Sequence, residues 1–225
     1  MTPAGRPAMT DVEVEPRGLY ATVLKRVVDV AAAMVLIVVL LPLMVVVGFL
    51  VRVILGAPIL HHDVRAGRHG RPIGLVKFRS MRDATDDLGR PLPDADRLGL
   101  FGRLLRQTSL DELPQLFSVL VGDMSLVGPR PLPERYVSRY SPRQATRLLV
   151  RPGMTGWAQI HGRNRLDWPE KLEYDARYVE ILRGPAGPLA DLWIIGVTVL
   201  QMVFQTLTGR GIAAPGSVTA REFQP

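Results

Sequence analysis

Residues 30–51 read VAAAMVLIVVLLPLMVVVGFLV, a stretch without a charged side chain that contains one proline, Pro42. A helix of about 20 apolar residues can cross the hydrocarbon core of a membrane. Proline inside a helix removes a backbone hydrogen bond and clashes with the preceding turn. At 1.5 Å per residue, the pieces 30–41 and 43–51 reach about 18 and 14 Å, well short of a core of about 30 Å.

The charges on both sides of this stretch bear on its topology. It is preceded by Arg17, Lys25 and Arg26 and followed by Arg52 and Arg65. A spanning helix normally has one flank that is poor in cations, because basic residues stay in the cytoplasm. Two basic flanks favour a helix–break–helix that enters and leaves through the same leaflet. A single span kinked at proline is the alternative.

The composition indicates an anionic partner. The chain has 225 residues with 28 Lys+Arg against 21 Asp+Glu, and a net charge of +7. All of these cations are arginines except Lys25, Lys77 and Lys171. One guanidinium group can bind two phosphate oxygens at once. A phosphorylated substrate, an anionic membrane or nucleic acid would therefore suit these arginines. The absence of cysteine excludes thiolate catalysis, zinc–thiolate sites and disulfides.

We predict four segments along the chain: a disordered tail at 1–18, a membrane segment at 19–55, a catalytic domain at 56–208 and a flexible tail at 209–225. In the domain we predict a strand near 73–78 and helices near 101–106, 113–121, 134–149 and 168–182. The apolar stretch 192–207 contains Gln201 and Gln205. Two amides in lipid are costly, so we favour a helix in the interface or on the core over a second span.

Residues 106–115, RQTSLDELPQ, carry the densest chemical signal. A helix that begins near Asp111 places Pro114 in its first turn, where proline is tolerated. Asp111 and Glu112, here called the acid pair, then lie at a helix N-terminus. The free N–H groups and the dipole there favour anions, which predicts a carboxylate ionised at neutral pH. Simple helix capping is the alternative for acids in this position.

Cations near the acid pair point to phosphate chemistry. Arg106, Arg130, Lys77 and Arg79 have no equal local supply of acidic partners. Such cations could neutralise a diphosphate that the acid pair would otherwise repel. A divalent ion bridging carboxylate and phosphate oxygens would have the same effect, and Mg²⁺ is the natural choice because it prefers oxygen ligands.

Four blocks in the chain together carry a family resemblance. They are KFRSM at 77–81, SLDELPQ at 109–115, VGPRP at 127–131 and RPGMTGWAQ at 151–159. In this order they resemble the monotopic phosphoglycosyl transferases, the bacterial sugar transferases that initiate lipid-linked glycan assembly. The resemblance covers about 24–207, and several motifs in register are far more specific than one.

The resemblance implies an architecture and a location. It implies an α+β fold, predominantly helical, in a monotopic membrane protein with a re-entrant N-terminal helix broken at Pro42. The catalytic domain, with interfacial amphipathic helices, would lie on the cytoplasmic face of the bacterial inner membrane. In the family the break is at Ser-Pro, whereas here it is at Leu41-Pro42, so the hydroxyl that could bridge the broken helix is missing.

The resemblance also implies a reaction. Asp111 would attack the β-phosphorus of a UDP-sugar and release UMP, and undecaprenyl or another polyprenyl phosphate would then take the sugar-phosphate from this aspartyl intermediate. This ping-pong transfer would initiate extracellular polysaccharide or glycoconjugate synthesis. Glu112 would bind Mg²⁺ together with Asp111, or handle protons. The predicted phosphate- or substrate-binding residues are Arg106, Arg130, Lys77, Arg79 and Gln115.

Other candidates have simpler interpretations. Asp94-Ala-Asp96 has the D-x-D metal pattern but lies in a Pro/Asp loop, and adjacent side chains such as those of 61–63 (HHD) rarely face one ion. Asp191 would cap a helix or contact substrate. The remaining candidates are His161, to which we assign no role, Asp175, an acid position in the family, and Trp157 and Trp168, which would stack on uracil, sit at the interface or lie in the core.

Two other protein classes remain as alternatives. A membrane-tethered nucleic-acid-binding protein would explain the net charge, but the sequence lacks a basic stripe with interleaved aromatics. A non-catalytic membrane scaffold would explain the apolar segments and would leave the four blocks unexplained. The sequence therefore favours an enzyme whose partners are a UDP-sugar, polyprenyl phosphate and membrane lipid, without nucleic acid.

Overall fold

The computed structural model describes residues 18–162, 166–208 and 223. The predicted tails therefore lie outside the described residues, except for Gly18 and Phe223. Helices dominate and two small sheets accompany them, which agrees with the predicted α+β class. The α-helices are α1 (Lys25–Ile54), α2 (Asp94–Arg97), α3 (Leu100–Gln107), α4 (Gln115–Val121), α5 (Pro142–Ala145), α6 (Trp157–Ile160), α7 (Trp168–Arg183) and α8 (Gly187–Thr208). The strands are β1 (Leu60–Ala66), β2 (Pro72–Phe78), β3 (Ser125–Val127) and β4 (Gly153–Thr155).

The apolar segment forms one helix. A π-helical turn, Tyr20–Leu24, leads directly into α1, and Pro42 lies inside α1. No non-helical residue therefore separates the two predicted pieces, and their re-entrant arrangement in a membrane stays a prediction. Helices in membranes tolerate an internal proline, and the apolar residues on both sides of Pro42 keep helical geometry.

Both halves of α1 pack on the rest of the protein. Before Pro42, Asp29 and Ala33 are buried, and Ala33 belongs to a core cluster with Leu75 and Val119 of the domain. After Pro42, the buried residues of α1 include Met44, Val47 and Val51, which pack in a second cluster with Phe78 and Leu105. Most of the apolar side chains between these two regions are exposed.

Two of the described helices are long and apolar enough to cross a membrane, judged by length and composition. They are the helical segment Tyr20–Ile54 and α8. Helix α8 has 22 residues and begins earlier than the predicted start at 192. Its two amides face protein: Gln201 donates to the Ile160 carbonyl at 2.9 Å, and Gln205 is buried.

The first sheet is an antiparallel hairpin of β1 and β2, with a register from Leu60↔Phe78 to Ala66↔Pro72. The sequence predicted β2 but not β1, because LHHDVRA lacks a run of apolar or alternating residues. The second sheet pairs β3 with β4 in parallel, with Ser125 opposite Gly153. These strands have three residues each, too few for a periodic signal.

The predicted helix at 134–149 is wrong. The chain there forms a 3₁₀ turn (Glu134–Arg139), α5 and a second 3₁₀ turn (Thr146–Leu149). Ser141 caps α5 in a capping box with Gln144, and Pro142 occupies the first helical position. A proline there starts a helix and cannot continue one. The helix predicted at 168–182 is confirmed as α7.

Candidate active site

Close packing brings Arg106 to the acid pair. Helix α3 lies against the chain just after β2, where a Cβ on Gly102 would stand 1.8 Å from the Ser80 carbonyl oxygen. Only glycine permits this approach. Arg106, in the last turn of α3, donates from Nε to Ser80 Oγ at 2.9 Å. The KFRSM block therefore fixes one predicted phosphate ligand beside the turn that follows α3.

The acid pair lies in a single 3₁₀ turn, Leu110–Glu112, just before α4. Pro114 is the N-cap of α4, so α4 begins at Gln115 and not near Asp111 as predicted, and the acid pair lies in the turn before it. Ser109 opens the turn with a left-handed backbone (φ 56°), a conformation that a residue with a side chain rarely adopts. Such strain is concentrated at functional sites, where the surrounding structure enforces it.

Asp111 is buried, with 6% of its surface exposed. Burial raises its pKa to about 6, and the charge of Glu112 adds to this rise. The charges of Lys77, Arg106 and Arg130 lower the pKa and only partly compensate. Desolvation therefore outweighs the attraction of the three neighbouring cations. A carboxyl group with this pKa is still about 90% ionised at pH 7.

Glu112 forms an ion pair with Arg130. Arg130 Nη2 lies 2.5 Å from Glu112 Oε1, and Nη1 lies 3.4 Å from Oε2. The Arg130 side chain is half exposed, so its outer edge faces solvent. This pair joins the SLDELPQ block to the VGPRP block.

Backbone contact between two blocks supports the turn that carries Arg130. The Gly128 N–H donates to the Thr155 carbonyl at 2.8 Å, and the Gly153 N–H donates to the Pro129 carbonyl at 2.9 Å. A Cβ on Gly153 would stand 2.1 Å from the Gly128 nitrogen. The glycines in both blocks are therefore required for β3 and β4 to approach closely enough to hold this turn.

A buried ion pair also reaches the Arg130 turn. Arg147 Nη2 donates to the Arg130 carbonyl at 2.5 Å and to Asp175 Oδ2 at 2.9 Å, and Arg147 Nε lies 3.0 Å from the same carboxylate oxygen. From the sequence we assign no role to Arg147 and identify Asp175 only as an acid position in the family. Both lie far along the chain from Arg130, so no motif spacing could have revealed the contact.

A cleft lies beside the acid pair. Its lining consists of Arg65, Leu75, Lys77, Glu112, Gln115, Arg130 and Pro131. Burial lowers the pKa of Lys77, and the charge of Asp111 opposes that change. Four of the predicted residues are thus brought to one cleft, and Asp111 lies next to it.

Arg65 is a cleft residue that the sequence identified only as a flanking cation. Its guanidinium is held by Asp63 of the same strand, with Nε 2.8 Å from Oδ2. Strand pairing places β1 beside β2, which carries Leu75 and Lys77. Because β1 was not predicted, the sequence could not place Arg65 at the site.

Arg79 is turned toward the end of α1. It is buried and donates to the carbonyls of Leu55 and Ala57 and to the Asp83 carboxylate. Leu55 is the C-cap of α1, whose last carbonyls have no partner within the helix. The predicted contact between Arg79 and phosphate stays a prediction, and the observed contacts tie β2 to α1.

The other sequence candidates lie elsewhere. Asp94 pairs with Arg97 in α2, with 2.6 Å between Asp94 Oδ1 and Arg97 Nη2. His61 and His62 are neighbours in β1, so they face opposite sides of the hairpin. In the part of the chain that the structure describes, no three His, Cys, Asp or Glu side chains come together as a metal site.

Asp191 lies within α8, and its buried carboxylate accepts hydrogen bonds from three side chains. It accepts from Lys25 Nζ at 2.6 Å, Tyr20 Oη at 2.7 Å and Tyr178 Oη at 2.8 Å. These contacts join α8 to the start of α1 and to α7. Capping, one of its two predicted roles, does not apply because α8 begins at Gly187.

The tryptophans and His161 belong to aromatic groups. His161 stacks on Tyr174 with ring centres 4.7 Å apart and lies 4.8 Å from Trp157. Trp168 packs edge-on against Tyr136 in a cluster that includes Phe223, which agrees with the core alternative for Trp168.

The chain belongs to the bacterial sugar transferase family, whose model matches residues 20–205. It is 44% identical over 201 residues to the sugar transferase EpsL of Bacillus subtilis, a match that covers 89% of this chain and 96% of EpsL. Within the family, its class is that of the phosphoglycosyl transferases.

Two further relatives have names that state an activity. The undecaprenyl-phosphate galactose phosphotransferase of Salmonella typhimurium is 38% identical over 174 residues, which are 70% of this chain and 36% of that protein. A UDP-glucose:undecaprenyl-phosphate glucose-1-phosphate transferase of Caulobacter vibrioides is 41% identical over 143 residues, 61% of this chain and 54% of its own length. The chain thus spans about a third to a half of these two relatives.

Proposed function

We propose that this protein transfers a sugar 1-phosphate from a UDP-sugar to polyprenyl phosphate, with Asp111 as the nucleophile. The observation that carries the proposal is a buried carboxylate, next to Glu112 and within the field of three cations, beside an open cleft. The names of the Salmonella and Caulobacter relatives support the substrate classes. The product would be the lipid-linked first sugar of an extracellular polysaccharide or other glycoconjugate.

The reaction would proceed in two displacements. A carboxylate oxygen of Asp111 attacks the β-phosphorus, the bond from that phosphorus to the bridging oxygen breaks, and UMP leaves with the electron pair. A phosphate oxygen of the polyprenyl acceptor then attacks the same phosphorus and releases the Asp111 carboxylate. Dividing the transfer in this way lets the two substrates use one site in turn.

The cations around the acid pair would stabilise charge on the transferring phosphoryl group. Arg106 and Arg130 are held in place by Ser80 and Glu112, so little reorganisation is needed when the substrate arrives. Lys77 lies at the end of β2, and burial strengthens its interaction with a phosphate. Arg65 and Gln115 line the same cleft.

The donor set of the acid pair fits Mg²⁺. Two adjacent carboxylates match its preference for oxygen, and the described residues bring no third acid or histidine to the pair, so water and diphosphate oxygens would complete the shell. When bound, the ion supplies positive charge that offsets repulsion between the acid pair and the diphosphate. We expect EDTA to abolish UMP release and Mg²⁺ to restore it; full activity in EDTA would exclude a required metal.

The decisive experiment compares Asp111→Asn with Asp96→Asn, an acid in α2 outside the cleft. We expect wild type and Asp96→Asn to release UMP from a UDP-sugar with polyprenyl phosphate present. They should also retain radiolabel from the β-phosphate when the acceptor is withheld. Asp111→Asn should do neither. Full activity in Asp111→Asn would exclude the nucleophile, and no UMP release by wild type from a panel of UDP-sugars would favour the scaffold alternative.

We propose further that α1 enters and leaves the membrane through the cytoplasmic leaflet. Before Pro42, Arg26 donates to the carbonyls of Val119 and Leu120 at 2.6 and 2.9 Å, and Asp29 accepts from the Leu126 N–H at 3.0 Å. After Pro42, α1 packs on Phe78 of the same domain. A spanning helix would carry one of these regions across the bilayer.

Cysteine labelling tests the topology in a chain that has no cysteine of its own. Thr22→Cys, His62→Cys and the reference Asp123→Cys place exposed thiols before α1, after α1 and after α4. Inverted vesicles expose the cytoplasmic face of the membrane on their outer surface. We expect all three thiols to react with an impermeant maleimide that is added outside such vesicles. Labelling of Thr22→Cys and His62→Cys from opposite sides would establish a spanning helix.

A further inference from the structure

The Arg130 side chain and the Arg130 carbonyl make contacts in opposite directions. The side chain reaches outward to Glu112 of the acid pair, with the shorter contact at 2.5 Å. The carbonyl faces inward and accepts from Arg147 Nη2, also at 2.5 Å. The position of the guanidinium at the cleft therefore depends on what holds the backbone from behind.

Arg147 is almost fully enclosed. Its exposed fraction is 3% and that of Asp175 is 4%. Besides the Arg130 carbonyl, it donates to Asp175 from two nitrogens and from Nη1 to Tyr140 Oη at 3.3 Å. Burying two charges is costly, and replacing such a pair with apolar residues is often neutral or stabilising. Stability alone is therefore a weak reason for this pair.

We propose that Arg147, oriented by Asp175, is a positioning residue that holds the Arg130 turn so that the Arg130 guanidinium faces the transferring phosphoryl group. Because Asp175 lies on α7 and Arg147 on the turn after α5, the pair ties the cleft to the helical core. A planar guanidinium can bind Asp175 and the Arg130 carbonyl together through its fork of N–H groups, whereas a lysine ammonium cannot reproduce that geometry. The proposal rests on the proposed transferase function.

The chain offers a matched control. Arg143 lies four residues earlier and also pairs with an acid of α7, with Arg143 Nη2 3.0 Å from Glu173 Oε1. That pair is exposed and does not reach the Arg130 turn. Arg143→Lys and Arg147→Lys therefore change the same kind of contact between the same parts of the fold, and only the second removes the hold on Arg130.

The test measures kcat and KM for UMP release in Arg147→Lys, Arg143→Lys, Arg130→Gln and the double variant Arg147→Lys/Arg130→Gln, below their melting temperatures. We expect Arg147→Lys to lower kcat/KM at least tenfold in the wild-type background and less than twofold in the Arg130→Gln background. Arg143→Lys should stay within twofold of wild type. Equal losses in both backgrounds, or a lower Tm with unchanged kcat/KM, would overturn the proposal and leave a purely structural ion pair.

Two further measurements keep the outcomes distinct. If Arg147→Lys does not fold, Tyr140→Phe removes one acceptor of Arg147 and retains the ring, and it should lower kcat/KM by twofold to fivefold only when Arg130 is present. If wild type releases no UMP, the transferase proposal fails, and the positioning role is measured as UDP affinity by calorimetry. Weaker UDP binding in Arg147→Lys but not in Arg143→Lys would support positioning, and equal binding would exclude it.

Discussion

Arg130 and Glu112, 18 residues apart, form a two-point ion pair at the mouth of the cleft. Among the described residues, Glu112 of the acid pair therefore has a charged hydrogen-bonding partner, whereas Asp111 has none. It also gives Glu112 a fixed orientation beside the group that we propose as the nucleophile. The structure thus separates two adjacent acids into different environments, one ion-paired and one buried.

Replacing Arg130 by lysine should reduce catalysis while keeping the charge. A lysine cannot form the two-point contact, and loss of a preoriented donor at a developing charge lowers kcat on the order of 10²–10³-fold. We expect such a fall in UMP release for Arg130→Lys. Arg103→Lys, at an exposed position on α3, is the control and should match wild type. Activity of Arg130→Lys within twofold of wild type would exclude this role.

The raised pKa of Asp111 predicts that Asp111→Asn stabilises the protein. The folded-state pKa is about 6 against an ordinary value of 3.8, so ionisation destabilises the fold as pH rises. The effect is absent below about pH 4, grows to about pH 6 and then stays near 3 kcal/mol. Melting temperatures in EDTA from pH 4 to 8 measure it. A difference in Tm between wild type and Asp111→Asn that does not change with pH would contradict the prediction.

Replacing Arg65 by glutamine should weaken substrate binding. Arg65 lines the cleft with Lys77 and Arg130, and loss of one charge-assisted hydrogen bond corresponds to about tenfold or more in affinity. We expect KM for the UDP-sugar to rise about tenfold. Arg90→Gln is the matched control, since Arg90 also pairs with a nearby aspartate, Asp86, but outside the cleft. An unchanged KM in Arg65→Gln would remove Arg65 from the site.

Replacing Arg79 by methionine should lower stability rather than affinity. The variant loses the donors to Leu55 and Ala57 and leaves the end of α1 without its cap, which corresponds to about 2–4 kcal/mol. We expect a lower Tm, with KM for the UDP-sugar within twofold of wild type at temperatures where the variant is folded. A large rise in KM without a change in Tm would instead support the predicted phosphate contact.

Several parts of the site could be predicted because their signals are local. The acid pair precedes a proline and an apolar helical repeat, so its place just before α4 follows from neighbouring residues. The pKa of Asp111 could not be predicted, because the turn that carries Asp111 packs against β2, a strand from a separate part of the chain.

Prolines account for two differences between the predicted and the observed helices. At 134–149, apolar spacing suggested one helix, but Ser141 and Pro142 begin a new helix, so the segment divides. In the apolar segment, Pro42 suggested two pieces, but a missing hydrogen bond does not require the chain to leave helical geometry. Pro142 stands at the first position of α5, where a proline starts a helix, whereas α1 continues through Pro42.

By itself, the sequence determined the family, the apolar N-terminal segment and the acid pair with most of its cations, because each is encoded in contiguous residues or in the order of short blocks. Only the tertiary structure decided which cations share the cleft, turned Arg79 toward α1 and added Arg65. It alone joined Arg147 to both Asp175 and the Arg130 carbonyl. These relationships depend on strand pairing and helix packing between distant segments. Such contacts produce no motif with a recognisable spacing in the sequence.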